Sequence, residues 1–119
     1  VSVYDSLEFF KADEFDYPDQ MDEEFLLWLD EVRSAAGVPM VITSDFRPSD
    51  DDSTHSLGIA VDVAAASGRW RYLIVKAALA CGAKRLGVYD KHIHLELPVG
   101  RHKLPEHIPT PSLWAGKSK

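Results

Sequence analysis

Residues 53–62 read Ser-Thr-His-Ser-Leu-Gly-Ile-Ala-Val-Asp, STHSLGIAVD, a stretch that begins as a polar loop and ends in branched aliphatic residues. The segment 59–63 is short and rich in β-branched side chains, which predicts a strand. Alternation along a strand puts Ile59, Val61 and Val63 on one face and Ala60 and Asp62 on the other. A carboxylate carried into a strand in this way needs a partner, because an unpaired buried charge is costly. His55 stands seven residues before Asp62, and Gly58 between them allows the backbone to turn tightly.

A second polar face lies downstream in HIHLEL, residues 92–97. Read as a strand, it places Ile93, Leu95 and Leu97 on one side and His92, His94 and Glu96 on the other. Two imidazoles and one carboxylate suit zinc and leave a fourth tetrahedral position open for water, the pattern of catalytic rather than structural sites. From the residues alone, two other arrangements remain open. Asp62 can pair with an arginine, and the histidines can cap the core.

Working outward, residues 21–36 carry Met21, Phe25, Trp28, Leu29, Val32 and Ala36 at helical spacing, with acidic residues at the start and Gly37 and Pro39 at the end. Residues 40–44, MVITS, predict a strand, followed by a polar loop over 45–54 that holds Arg47 and the run Asp50, Asp51, Asp52. A second helix is expected over 69–81, closed by Gly82. Strands over 86–89 and 92–97 would meet at Asp90-Lys91, as a hairpin. The tail, 98–119, is expected to pack on the body through Leu113 and Trp114. Together these elements predict an α+β domain: a small antiparallel sheet with helices packed against it and, on the sheet's polar face, a metal site as one of the open arrangements.

The 119 residues fit one domain, 1–119. A balance of 13 basic against 19 acidic residues, net charge −6, disfavours nucleic acid and anionic membrane as partners. No apolar run reaches the roughly 18 residues of a membrane span, so no stable membrane insertion is expected. Cys81, the single cysteine, has no disulfide partner and sits among small residues, which predicts a packing role. The first residues lack the basic and apolar regions of a secretory signal, so synthesis in the cytoplasm is expected. The aspartate run reads as a solvated loop without the glycine and glutamate of a calcium loop. His102 and His107 read as surface residues.

The stretch STHSLGIAVD resembles the Ser-x-His-x-x-Gly-x-Ala-x-Asp signature of the zinc D-Ala-D-Ala carboxypeptidase and murein endopeptidase family, which has the hedgehog/DD-peptidase fold. Ser53, His55, Gly58, Ala60 and Asp62 fill every specified position. ITSDFRP is similar to the family's strand and arginine loop, HIH to its His-x-His element, and SLEFFKADEF to the N-terminal segment of small members. The resemblance spans about residues 6–97. It implies one zinc ion per chain, held by His55, Asp62 and His94. It makes Arg47 the residue that binds a substrate carboxylate or polarises the scissile carbonyl, with Ser53 supporting the site by hydrogen bonding.

One position departs from the family pattern. Many members carry an acidic residue three places before the last zinc histidine, where this chain has Lys91. His92 is then the first choice for general base and Asp90 the second, while Glu96 is expected to orient a ligand histidine. The resemblance implies a monomeric hydrolase of peptidoglycan peptides, of carboxypeptidase or endopeptidase type. It looks like a small phage endolysin, made in the host cytoplasm and acting in the periplasm or cell wall, or carried by the virion. The competing expectation is a module that binds zinc and a cell-wall or protein partner without turnover, and a third is a metal-free structural protein.

Overall fold

A computed structural model describes residues 2–48, 54–97 and 110–118. The expected positions Ser53, Asp50, Asp51, Asp52, His102 and His107 lie outside the described residues.

The first helix, α1 (Glu23–Ala36), begins two residues later than the apolar spacing suggests. Asp22 is the reason: its side chain accepts the Phe25 N–H at 3.0 Å and caps the helix, so the acidic cluster contributes a cap as well as charge at the helix start. Gly37 ends α1 in the left-handed conformation, φ 69°. The second helix, α2 (Gly68–Ala80), is capped by Ser67, whose hydroxyl accepts the Trp70 N–H.

Five strands follow in chain order: β1 (Ile42–Ser44), β2 (Ala60–Ala64), β3 (Arg85–Tyr89), β4 (His92–Glu96) and β5 (Ser112–Gly116). They form one sheet in the order β1-β2-β4-β3-β5. The expected hairpin is present, with β3 and β4 antiparallel. The expectation of a wholly antiparallel sheet is corrected, because β5 pairs with β3 in parallel, Gly87 opposite Trp114. Thus part of the tail is a strand of the sheet and does more than pack against the body.

Register sorts the two faces. Val61 lies opposite Leu95 and Val63 opposite Ile93, while Leu86 also meets Leu95. These five side chains join Phe25, Leu29, Val32, Ile74 and Ala78 in a single core on the helix side. Burial of such a cluster is the main favourable contribution to folding, at roughly 25 cal/mol per Å2 of apolar surface. The same register puts Asp62 opposite His94, Ala64 opposite His92 and Gly87 beside His94, all on the other face.

Cys81 is half-buried at the end of α2, and burial together with Glu31 pushes its thiol pKa up, in keeping with packing rather than reactivity. No helix among the described residues is long and apolar enough to cross a membrane.

Candidate metal centre

Direct cross-strand pairing on β2 and β4 brings Asp62 and His94 together, and the 3-10 turn Thr54–Leu57 delivers His55 beside them. Gly58 closes that turn at φ 71°, and its carbonyl accepts the Asp22 N–H at 2.9 Å. A side chain at Gly58 would run into the backbone of Gln20 and Met21, so glycine both permits the turn and allows it to seat against the start of α1.

Three atoms converge. His55 Nε2 lies 3.2 Å from His94 Nδ1 and 3.6 Å from Asp62 Oδ1, and His94 Nδ1 lies 3.1 Å from that same oxygen. Bonds of about 2.05 Å at tetrahedral angles have an edge of about 3.3 Å, so these separations match three corners of a zinc-sized tetrahedron.

The hydrogen bonds behind the rings set the chemistry of the facing nitrogens. His55 Nδ1 is 2.7 Å from the Asp45 carbonyl, which only accepts, so Nδ1 carries the proton and a neutral ring directs the Nε2 lone pair inward. His94 Nε2 is 2.8 Å from Glu96 Oε1 and donates to it, leaving the Nδ1 lone pair facing inward. Two lone pairs and a carboxylate oxygen thus face one point, where they repel unless a cation stands between them. Among the described residues, His55, Asp62 and His94 form the one group placed to hold a metal ion.

A proton can play the cation's part. Burial works against charge on both Asp62 and His94. A protonated His94 donates from Nδ1 to Asp62 Oδ1 and, with the His55 ring beside it, nevertheless holds the Asp62 carboxyl well below the usual carboxylate range. Likewise, the hydrogen bonds to Asp62 and Glu96 hold the His94 imidazole above its ordinary 6.5. Zinc must displace that proton, so its apparent affinity should climb about tenfold per pH unit until the raised His94 pKa is passed, then level off. Competition titrations against a chromophoric chelator would measure this. A flat response below pH 6.5, where a raised pKa keeps the ring protonated, would show that His94 does not hold the displaced proton.

Glu96 is only 1% exposed. Its Oε2 accepts from Arg85 Nε at 2.7 Å, and its Oε1 accepts from both His94 and the Thr54 hydroxyl, the latter at 3.2 Å. Burial would raise its pKa, but the His94 and Arg85 contacts lower it. The contact between Glu96 and His94 is therefore present in the geometry.

Arg47 meets the second oxygen of Asp62: Nη2 donates to Oδ2 at 2.9 Å, and Nε donates to the Ser44 hydroxyl at 3.0 Å. Its side chain is 41% exposed and lines an open cleft of about 520 Å3 above the three converging atoms. His92 lines the same cleft, half-buried, with its ring stacked on Tyr89 at 4.2 Å. Asp90 does not line it. Asp90 is exposed on the β3–β4 turn, and its Oδ1 accepts the Ser118 N–H at 2.6 Å, which lowers its pKa. A larger hollow of about 710 Å3, between the N-terminal segment and Arg33, lies away from His55, Asp62 and His94.

Sequence reasoning missed the wall supplied by β5 and the residues after it. Trp114 crosses Gly87, where any side chain would strike the indole, and its ring centroid is 5.4 Å from that of His94. Its Nε1 donates to the Tyr89 hydroxyl at 3.1 Å, and Lys117 completes the wall. The signal that pointed this way was Trp114 itself, the one aromatic residue of the tail 98–119.

Against family models, curated proteins and solved structures, the chain gives no match.

Proposed function

We propose that the chain is a zinc-dependent peptidase of the hedgehog/DD-peptidase fold that hydrolyses an amide bond in peptidoglycan stem or cross-bridge peptides. The observation that carries this reading is the convergence of two imidazole lone pairs and one carboxylate oxygen at the floor of an open cleft. The STHSLGIAVD signature supports it independently. Zinc held by His55, Asp62 and His94 would polarise the scissile carbonyl and make activated water available near neutral pH.

The chain's own groups do the remaining work. Arg47 offers a planar, permanently charged fork at the cleft edge, suited to a substrate carboxylate or the scissile carbonyl, while bracing Asp62. Glu96 fixes the His94 ring. His92 stands at the cleft wall, from which it would reach the reacting groups of a bound peptide. An endolysin-like role, with synthesis in a host cytoplasm and action on the wall after release, fits such an activity.

A second reading, a zinc-binding module without turnover, draws on the hairpin turn. Lys91 is exposed there and Asp90 is tied to Ser118, so neither presents a free carboxylate to the cleft.

Metal analysis followed by peptidoglycan digestion decides between the two. Zinc at one ion per chain, with peptides released by wild type and at least about 100-fold fewer by His92→Ala, is expected for a peptidase. Zinc bound without release of peptide from any wall type would favour the module. No zinc bound even when supplied would sink both.

A further inference from the structure

We infer that Ser118 is a positioning residue that latches the segment after β5 onto the β3–β4 turn and fixes His92 with a ring N–H, at Nε2, directed to the cleft. The consequence for chemistry rests on the peptidase reading; the latch itself does not.

Ser118 makes three contacts with consecutive residues of the turn. Its N–H donates to Asp90 Oδ1 at 2.6 Å, its hydroxyl oxygen accepts the Lys91 N–H at 3.2 Å, and that oxygen is 2.6 Å from His92 Nδ1. Lys91 N–H takes one lone pair of that oxygen; were a His92 Nδ1–H to take the other, the serine proton would have no acceptor in these contacts, so the hydroxyl is assigned as donor to Nδ1. With Nδ1 accepting, the neutral ring carries its proton on Nε2, which has no hydrogen-bond partner among the described residues. Tyr89 stacks on the ring at an interplanar angle of 12°, and Trp114 in turn holds the Tyr89 hydroxyl. The ring is therefore fixed on one face and at one nitrogen. Asp90 serves as the latch's anchor.

A ring held this way offers the substrate a donor in place of a lone pair. It suits hydrogen bonding to the carbonyl oxygen, where negative charge develops during amide hydrolysis, rather than proton abstraction.

The test uses 15N NMR of the imidazole nitrogens in the full chain, with and without zinc, for wild type, Ser118→Ala and Ser118→Thr. Wild type should show His92 protonated on Nε2, with Nδ1 shifted as a hydrogen-bond acceptor. Ser118→Ala should move the Nδ1 resonance to that of an unbonded ring, and Ser118→Thr, which keeps the hydroxyl, should restore it. In peptide release, Ser118→Ala should lower kcat about tenfold with KM and zinc content unchanged, and Ser118→Thr should recover it. A proton on Nδ1 in wild type, or His92 resonances unmoved in Ser118→Ala, would overturn the latch. Absence of turnover in wild type counts against the peptidase reading alone, since the NMR comparison still decides the latch.

Discussion

Asp62→Ala is expected to lose bound zinc and peptide release together, while the fold persists. Partners that merely support a metal ligand cost about 10–100-fold in affinity when removed, and a direct ligand should cost more. Asp62 supplies the only anionic atom among the three that converge, and Oδ2 also holds Arg47 at 2.9 Å. Its removal leaves two neutral imidazoles and frees the guanidinium to move. The control is Arg47→Ala, which should keep zinc at one ion per chain and lose turnover. Zinc content by atomic absorption and release of wall peptides measure the two effects separately. Full activity in Asp62→Ala would refute its place among the ligands.

Glu96→Ala carries the largest expected effect on stability. The carboxylate is buried between Arg85 and His94, and breaking a buried ion pair from one side costs about 3–5 kcal/mol. Glu96→Gln retains an oxygen that can accept from His94 but presents a neutral group to Arg85, so it should lose less stability and keep more of the zinc affinity. Urea denaturation in the presence of chelator gives the folding term, and zinc titration gives the other. Because the folded pKa of Glu96 lies below its ordinary 4.5, its contribution is present in full above that value and disappears as pH falls through the lower one. A Glu96→Ala protein within about 1 kcal/mol of wild type, binding zinc unchanged, would show that this carboxylate neither holds Arg85 nor orients the ring.

Much of this architecture was legible in the sequence because local pattern and tertiary context agree. Alternation in 59–63 and 92–97 separated Val61, Val63, Ile93 and Leu95 from Asp62, His94 and Glu96, and the sheet keeps that division. Helical spacing located α1 and α2 to within two residues. What escaped detection depends on pairing between distant segments. SLWAG has one aromatic, no β-branched residue and two small ones, so nothing local marks it as a strand; it becomes one by pairing with β3. Arg47 has aspartates near it in sequence, yet it reaches Asp62 because β1 and β2 pair and bring its loop over the sheet. Ser118 carries no signal at all until the turn at Asp90 is seen beside it.

The strand order has a further consequence for how the site moves. β2 and β4 are each hydrogen-bonded on both sides, so Asp62 and His94 cannot shift without opening two ladders at once. Arg47 follows β1, and Trp114 and Lys117 come from β5 and its extension, the two margins of the sheet. Margins open locally at much lower free energy than interior strands. Amide exchange should therefore be slowest beneath the ligands and fastest along the walls. A cleft built this way can widen at its walls while the triangle of atoms at its floor stays in place.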